Sequence, residues 1–258
     1  MGYRIGIFGH YGHHNMGDEA IVEAVIQNLR SRWPTVQLTG FSMNAKDTSL
    51  RYGIPAYQIR RLDGAPRGIA KANDPIPAHR IPATNCSKIA VVRDYLKRSA
   101  LLRFLAKSSR FVLKLPPALW RELVFLRDSY RIGKDVDCFF VAGSGQLMDT
   151  FGGVWAYPYT LLKWTVLARL AEARVVFVSV GAGPIESLWS RLMVRAALSL
   201  ADYVSFRDAG SQRLIEWFGS GKRWLVYPDL AQSLLFDHHP SRDRPKQPVV
   251  GVNRWAWD

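Results

Sequence analysis

Short apolar runs alternate with amphipathic helical segments along most of this chain, and that alternation limits its fold more than any other feature. Strands are predicted at Arg4–Phe8, Val36–Phe41, Ala56–Arg60, Asp137–Ala142, Arg174–Val180, Tyr203–Phe206 and Trp224–Tyr227. Helices are predicted at Asp18–Arg30, Trp155–Ala171, Leu188–Ala201 and Ala209–Phe218. Strands that are joined through helices pair in parallel, because each helix carries the chain back to the starting edge of the sheet. The pattern therefore predicts an α/β layer fold with a mostly parallel sheet.

The composition excludes several classes of protein. Apolar residues form 48% of the 258 positions and the mean hydropathy is −0.07, which does not fit a disordered chain. No run approaches the roughly 18–20 apolar residues that span a bilayer, and a strand that begins near Tyr3 leaves no room for a signal peptide. The two cysteines, Cys86 and Cys138, are too few for a disulfide framework or a cysteine zinc site. We therefore expect a cytoplasmic protein.

Positive charge is concentrated in one stretch of the chain. The formal net charge is +14, and residues 60–134 contain 17 Lys and Arg against 5 Asp and Glu, a net of +12. Within this stretch, prolines and small residues predict an irregular segment over 63–87. Residues 91–130 have a helical pattern that is broken at Pro116-Pro117. We predict a basic helical insertion at about 88–134.

Apolar and basic side chains alternate over residues 97–126, and this pattern has two interpretations. A basic amphipathic segment can lie on an anionic membrane surface, which would place the protein at the inner face of the plasma membrane. The same pattern fits an ordinary helix that faces the core and exposes a solvated basic face. Nucleic acid is the weaker alternative and is not expected as a partner, because no recognisable binding motif accompanies the charge.

The C-terminal residues read differently from the rest of the chain. Residues 237–248 are polar and proline-containing, and are typical of an exposed linker. A new apolar strand then begins at Pro248–Asn253, and residues 249–258 resemble the start of a second, truncated domain. The predicted organisation is a first domain over 1–236, a linker, and the first strand of a partner domain.

Three glycine-rich turns follow predicted strands and lead towards helices. The first spans Gly9–Ala20, the second Ala142–Asp149 and the third Val180–Ile185. Glycine permits a close approach of the backbone, and the free N–H groups at the start of a helix favour an anionic ligand. Because the carboxyl ends of parallel strands share one edge of a sheet, the three turns can line one crevice.

The first turn is neither a dinucleotide fingerprint nor a clear metal site. Its glycine spacing differs from the fingerprint, and Asp18, which we predict to be the N-cap of the next helix, would repel a pyrophosphate. The turn also contains His10, His13 and His14. These histidines lack the helical or alternating frame of a metal site, so we expect no metal there.

Arg207 stands where a short predicted strand passes into a helix, with Ser211 four residues later. Its guanidinium can bind a carboxylate or a phosphate through two parallel hydrogen bonds. The alternative is an ion pair with Asp208 or Asp229 that holds the loop. The sequence leaves both interpretations open.

Taken in order, these motifs resemble the polysaccharide pyruvyl transferase family. The resemblance covers residues 4–235 and rests on GxYGxxNxGDEA, GSGxLxD, VGAGP, VSxRDxxSxxL and PDxA. It implies a Rossmann-like, doubly wound parallel sheet that forms the N-terminal domain of a GT-B-like pair, with the second domain missing or truncated. It also implies transfer of the enolpyruvyl unit of phosphoenolpyruvate to a sugar of a cell-surface polysaccharide or its lipid-linked precursor, which closes a pyruvate ketal without a cofactor.

The resemblance also implies a set of substrate-binding residues. They are Gly9, Asn15, Gly17, Asp18, Gly143, Gly145, Asp149, Gly181, Gly183, Arg207 and Ser211. Arg207 matches the arginine expected to hold phosphoenolpyruvate and is the one residue to which the resemblance gives a catalytic role. His10 stands where the family often has Asn, and Ser144 interrupts a run of glycines. The family's catalytic histidine is expected in the C-terminal domain.

The reaction needs cations for the carboxylate and phosphate, a general acid at C3, and a base for the sugar hydroxyls. Arg207 and the helix N-termini can supply the cationic contacts, and Asp18 or Asp149 can accept a hydrogen bond from a hydroxyl. Two alternatives stay open, namely a GT-B glycosyltransferase that uses a nucleotide sugar, and an inactive carbohydrate-binding homologue.

Overall fold

Parallel strands form one twisted sheet in the computed structural model, which describes residues 2–61, 117, 119–217 and 224–235. Seven strands lie in these described ranges, and they run in the order β3-β2-β1-β4-β5-β6-β7. The predicted irregular segment over 63–87, most of the basic insertion, the linker and the last strand lie outside the described residues.

The elements alternate along the chain as the sequence predicts. The strands are β1 (Arg4–Phe8), β2 (Gln37–Ser42), β3 (Ala56–Gln58), β4 (Cys138–Ala142), β5 (Arg174–Val180), β6 (Tyr203–Phe206) and β7 (Leu225–Val226). The helices are α1 (Met16–Arg32), α2 (Ala45–Tyr52), α3 (119–133), α4 (Tyr157–Leu170), α5 (Leu188–Leu200) and α6 (Ala209–Trp217), followed by a 3₁₀ helix at Leu230–Ser233. None of the helices in the described part of the chain is both long enough and apolar enough to cross a membrane.

The direction of the strand order reverses beside β1. From β1 the chain builds outward through β2 and β3, and it then returns to the other side of β1 with β4. Ile5 is therefore paired with Leu38 on one side and with Cys138 on the other, both in parallel. In open parallel sheets, ligands bind beyond the carboxyl ends of the strands at such a reversal. The fold therefore predicts a ligand site at the turns after β1 and β4.

Alternate residues of each strand enter cores on opposite faces of the sheet. Phe8 and Phe139 belong to one core and their neighbours Ile7 and Phe140 to the other. The first core centres on Trp164 of α4, whose indole packs against four aromatic rings of the strands and donates a 2.8 Å hydrogen bond to the carbonyl of Ile59. The second core is formed by the apolar face of α1 over β1 and β2. Burial on both faces explains why the sequences of β1, β4 and β5 are almost continuously apolar.

The prediction of an α/β fold with a doubly wound parallel sheet is confirmed, and one local prediction is wrong. Asp18 is not the N-cap of α1: the helix starts at Met16, and the Asn15 side chain caps it by accepting a hydrogen bond from the N–H of Gly17 at 3.2 Å. Asparagine is among the best N-cap residues, and Asp18 falls in the first turn, where its charge favours the positive end of the helix. The strands predicted at Ala56–Arg60 and Trp224–Tyr227 are present but shorter, at Ala56–Gln58 and Leu225–Val226.

Candidate functional site

The second and third glycine-rich turns are joined to each other at the carboxyl edge of the sheet. The N–H of Gly181 donates to the carbonyl of Ser144 at 2.8 Å, and the N–H of Gly183 donates to the carbonyl of Leu147 at 3.0 Å. Leu147 and Ala182 form an isolated parallel bridge beyond the ends of β4 and β5. The strand pairing thus continues into the two turns and makes them one unit.

The glycines in these turns leave space that the side chain of Met148 fills. A Cβ on Gly145 would lie 2.9 Å from the terminal methyl of Met148, and one on Gly183 would lie 3.0 Å from the same methyl. Gly143 has a positive φ of 27° and Ser144 one of 64°, so the chain turns sharply just after β4. The turn residues that the sequence identifies therefore form a tightly packed floor.

The first turn meets this floor through Gln146. A Cβ on Gly9 would lie 3.3 Å from Nε2 of Gln146, and that amide donates to the carbonyls of Ala142 and Gly143 at 2.8 and 2.9 Å. Gly143 in turn faces Ile21 of α1, at 3.0 Å from a built Cβ. The three turns that the sequence predicts to share an edge therefore do lie side by side.

Arg207 extends from the end of β6 back over the third turn. A Cβ on Gly181 would lie 2.6 Å from Nε of Arg207 and 2.8 Å from its Cζ, so the guanidinium lies directly on this glycine. The Arg207 side chain remains 39% exposed. The structure thus holds a cation at the carboxyl edge, above β5, with one side open to solvent.

Both ion pairs that the sequence leaves open for Arg207 are present. Its Nε lies 3.5 Å from Oδ2 of Asp208, and its Nη1 lies 3.6 Å from Oδ2 of Asp229. These contacts are longer than the roughly 2.7–2.9 Å of a strong charge-assisted hydrogen bond. The two carboxylates therefore orient the guanidinium without using its full capacity to donate.

Ser211 ties α6 to the third turn instead of facing an open space. Its Oγ accepts a 2.9 Å hydrogen bond from the N–H of Ala182 and donates to Oδ2 of Asp208 at 2.8 Å, while its N–H donates to Oδ1 of Asp208 at 2.7 Å. Burial alone would raise the pKa of Asp208, but the hydrogen bonds from Ser211 and the charge of Arg207 lower it. Ser211 thereby fixes the carboxylate of Asp208, and that carboxylate in turn orients the guanidinium of Arg207.

Asp149 also has an internal partner. Its two carboxylate oxygens accept hydrogen bonds from the N–H groups of Glu186 and Ser187 at 3.1 and 3.0 Å, just before α5 begins. Burial alone would raise its pKa, but these backbone hydrogen bonds bring the pKa below its ordinary value. Asp149 fixes the start of α5 to the second turn.

In the first turn, Asn15 and Asp18 form a connected pair. While Oδ1 of Asn15 caps α1 at Gly17, its Nδ2 donates to Oδ2 of Asp18 at 2.9 Å. The same Asp18 oxygen lies 3.5 Å from Nδ1 of His10. Gly17 itself has no crowded neighbour, since a built Cβ would meet only Asn15, at 3.6 Å.

Glu19 is a buried carboxylate to which the sequence pattern assigns no role. One of its oxygens accepts a 2.8 Å hydrogen bond from the N–H of Gly12, and the other accepts from the Tyr52 hydroxyl. Arg51 lies 3.7 Å from the second oxygen. Glu19 therefore fixes the first turn to α2. In the sequence, the feature that could have indicated this role is the acidic residue directly after Asp18 in the GDEA motif.

The histidines of the first turn lie close together. The rings of His10 and His13 are 5.4 Å apart, and burial together with the nearby His10 lowers the pKa of His13, against a smaller raising effect of Glu19, Asp18 and Asp47. No group of three or more His, Cys, Asp or Glu among the described residues is arranged to hold a metal ion.

The edge of the sheet thus has two chemically different ends. Above β5 and β6 it presents the Arg207 cation over the packed glycine turns, and above β1 it presents His10 and the Asn15–Asp18 pair. The predicted site residues therefore fall into two groups. The glycines of the second and third turns form the packed floor, whereas Ser211 and Asp149 join these turns to the helices by hydrogen bonds.

Residues 15–256 match a family model described as polysaccharide pyruvyl transferase. No curated protein matches the chain.

Proposed function

The chain belongs to the polysaccharide pyruvyl transferase family, and on that premise we propose that it transfers the pyruvyl unit of phosphoenolpyruvate to a sugar. The acceptor is a sugar of a cell-surface polysaccharide or of its lipid-linked precursor, and the product is a pyruvate ketal across two hydroxyls. The reaction needs no cofactor. The family match favours this reaction over the nucleotide-sugar glycosyl transfer that the sequence left open.

The observation that carries the proposal is the position of Arg207. Phosphoenolpyruvate has a carboxylate and a phosphate on one carbon, so its binding site needs a planar donor that can contact two anionic groups. Arg207 lies on Gly181 with one side exposed, and its ion pairs at 3.5 and 3.6 Å leave donors for a ligand.

One further feature of this end of the edge favours an anion. The Gly181 and Gly183 turn brings the backbone close to the guanidinium, so no side chain stands between them. We assign the phosphate and carboxylate of phosphoenolpyruvate to this end.

Binding of phosphoenolpyruvate by titration calorimetry tests the proposal. We expect Arg207→Ala to weaken binding roughly 10- to 100-fold, as for the loss of hydrogen bonds to a charged group. Arg207→Lys should recover only part of the affinity, because an ammonium cannot donate through a planar fork.

The matched control is Arg169→Ala. Arg169 is an arginine of similar exposure that pairs with Asp202 at the opposite edge of the sheet, with Nη1 and Oδ2 2.9 Å apart. The Arg169→Ala variant should bind phosphoenolpyruvate with the same affinity as the wild-type chain. Unchanged affinity in Arg207→Ala would overturn the assignment of this residue, and absence of binding by the wild-type chain would overturn the proposed donor.

A further inference from the structure

His10 is held in one orientation at the end of β1. Its Nδ1 lies 3.5 Å from Oδ2 of Asp18. Its ring meets the ring of Tyr157 edge to face, with centroids 4.8 Å apart and planes at 88°. Contacts from α1 on one side and α4 on the other therefore define the direction of the imidazole. With Nδ1 turned to a carboxylate, the second nitrogen is the one available to a ligand.

Asp18 is itself fixed. Its side chain is 10% exposed, and its Oδ2 accepts the hydrogen bond from Asn15 in addition to the His10 contact. It also lies in the first turn of α1, where the N–H groups stabilise a carboxylate. A carboxylate so placed favours the imidazole tautomer that carries its proton on Nδ1, which leaves Nε2 as a proton acceptor.

A second and independent observation points to a polar ligand in this region. The hydroxyl of Tyr157, on the ring that His10 packs against, is buried and has no hydrogen-bond partner among the described residues, and Tyr157 is only 5% exposed. The same holds for Oε1 of Gln146, a residue that is 1% exposed and adjoins Gly9. Buried polar groups without partners cost free energy unless a water or a ligand satisfies them. The surroundings of His10 therefore contain hydrogen-bonding capacity that the described residues do not use.

We propose that His10 is the base that accepts the proton of the attacking sugar hydroxyl, with Asp18 as its positioning residue. The proposal rests on the proposed function and assigns the acceptor sugar to the end of the edge above β1. The unmet polar groups of Tyr157 and Gln146 lie at this end, whereas Arg207 lies above β5. Two strand spacings separate β1 from β5, roughly 10 Å, which gives a donor and a sugar separate places.

The step balances as follows. The π electrons of phosphoenolpyruvate take up a proton at C3 from a general acid, so that C3 becomes a methyl group and C2 an electrophilic oxocarbenium carbon. The sugar oxygen then forms a bond to C2 while His10 Nε2 takes the hydroxyl proton. The bond from C2 to the phosphate oxygen breaks with its electron pair on phosphate, and the second hydroxyl closes the ketal. Two hydroxyl protons are lost, one being balanced at C3 and the other on phosphate.

The kinetic test compares wild type, His10→Gln and Asp18→Asn. Phosphate release from phosphoenolpyruvate is measured with methyl glycosides of glucose, galactose and mannose as acceptors. We expect His10→Gln to lower the turnover number roughly 10²-fold or more, with a smaller loss in Asp18→Asn. Binding of phosphoenolpyruvate should be unchanged in both, because Arg207 is intact. His14→Asn is the matched control, since His14 is an exposed histidine of the same turn with a φ of 60°, which asparagine tolerates.

Turnover of His10→Gln within about threefold of wild type would overturn the inference and leave the proposed function standing, whereas a wild-type chain that fails to bind phosphoenolpyruvate would overturn the proposed function. A spectroscopic experiment tests the same inference without requiring the enzyme to turn over. In ¹⁵N-histidine-labelled protein we expect His10 to carry its proton on Nδ1, and Asp18→Asn to abolish that preference. A His10 that is protonated on Nε2, or that ignores Asp18→Asn, would also overturn the inference.

Discussion

At the scale of single residues, the position of Arg207 depends on the absence of a side chain at Gly181. The guanidinium occupies the place of the missing Cβ, and Asp208 and Asp229 hold it there from two sides. A cation that is placed by packing loses less entropy on binding an anion than one on a freely rotating side chain.

Gly181→Ala tests this arrangement without touching the charge. The new methyl group would lie 2.6 Å from Nε of Arg207, so the guanidinium must leave its position. We expect phosphoenolpyruvate to bind at least about tenfold more weakly by calorimetry. Gly133→Ala is the control, because a Cβ there meets nothing within 4 Å. Equal affinity in the two variants would contradict the packing argument.

Asp149 makes an acid-dependent contribution to stability. Its folded pKa is lowered from 3.8, so the contribution is present above that value and is lost as the pH falls through the lower folded pKa. We expect Asp149→Asn to reduce the free energy of unfolding by about 2 kcal/mol at neutral pH. In urea titrations this difference should shrink at about pH 3. A difference that is constant with pH would contradict the assigned role.

The sequence predicted the location of the candidate site residues better than it predicted what each of them contacts. Strand ends and glycine spacing place Arg207 and the three turns at one edge, because parallel strands share their carboxyl ends. The internal hydrogen bonds of Asp149 and Ser211 depend on the Leu147–Ala182 bridge and on the start of α5, which only the folded chain brings together. The role of Glu19 likewise depends on α2, more than thirty residues away at Tyr52.

At the scale of elements, the start of α1 performs two tasks through one side chain. Asn15 caps the helix with its oxygen and holds Asp18 with its nitrogen. The sequence predicted a cap at this point but chose the wrong residue, since Asn and Asp are both favoured at N-caps and stand three positions apart. Helix and strand boundaries depend on such local competition, whereas the apolar periodicity of each element does not.

Two substitutions at Asn15 separate these tasks. Asn15→Ala should lower the free energy of unfolding by about 1 kcal/mol, because α1 loses its cap. Asn15→Ser should keep most of that stability, since serine also caps, but its shorter side chain lacks the amide N–H₂ that donates to Asp18. Thermal unfolding measures the first effect, and the ¹⁵N spectrum of His10 measures the second. If Asn15→Ser and Asn15→Ala were equally unstable, capping would not be the role of this side chain.

At the scale of the whole molecule, α3 exposes large apolar side chains next to arginines. Trp120 is 68% exposed and Leu119 and Leu123 are similarly uncovered, while Arg121 and Arg127 are exposed on the same helix. Residues 119–126 of this helix belong to the segment 97–126 for which the sequence pattern predicts contact with an anionic membrane. A lipid-linked acceptor would be reached from such a surface.

Vesicle sedimentation tests this prediction. We expect binding to phosphatidylcholine vesicles that contain phosphatidylglycerol, little binding to phosphatidylcholine alone, and loss of binding at high salt. Trp120→Ser should weaken binding roughly tenfold, whereas Trp189→Ser, an exposed tryptophan on α5, should not. Equal sedimentation with both vesicle types would contradict a membrane role for α3.

The fold class could be predicted from the sequence, but the strand order could not. Hydrophobic periodicity is a local property of the sequence, so each strand and each helix could be predicted separately. Their order depends on which apolar faces pack together, as when Trp164 of α4 contacts Phe8, Phe41 and Phe139 from three different strands. No short-range pattern encodes such a cluster, and the reversal beside β1 follows from it.

The pairing of β1 with β4 also bears on how the chain is made. Arg4 and Asp137 are joined by hydrogen bonds although 133 residues separate them. During translation, the first three strands leave the ribosome long before β4 is synthesised, so one edge of β1 emerges without its partner. Open strand edges template pairing with other chains, and contacts of long sequence separation form slowly. We therefore expect nascent chains that stop before Asp137 to depend on chaperones, and to become independent of them once β4 has emerged.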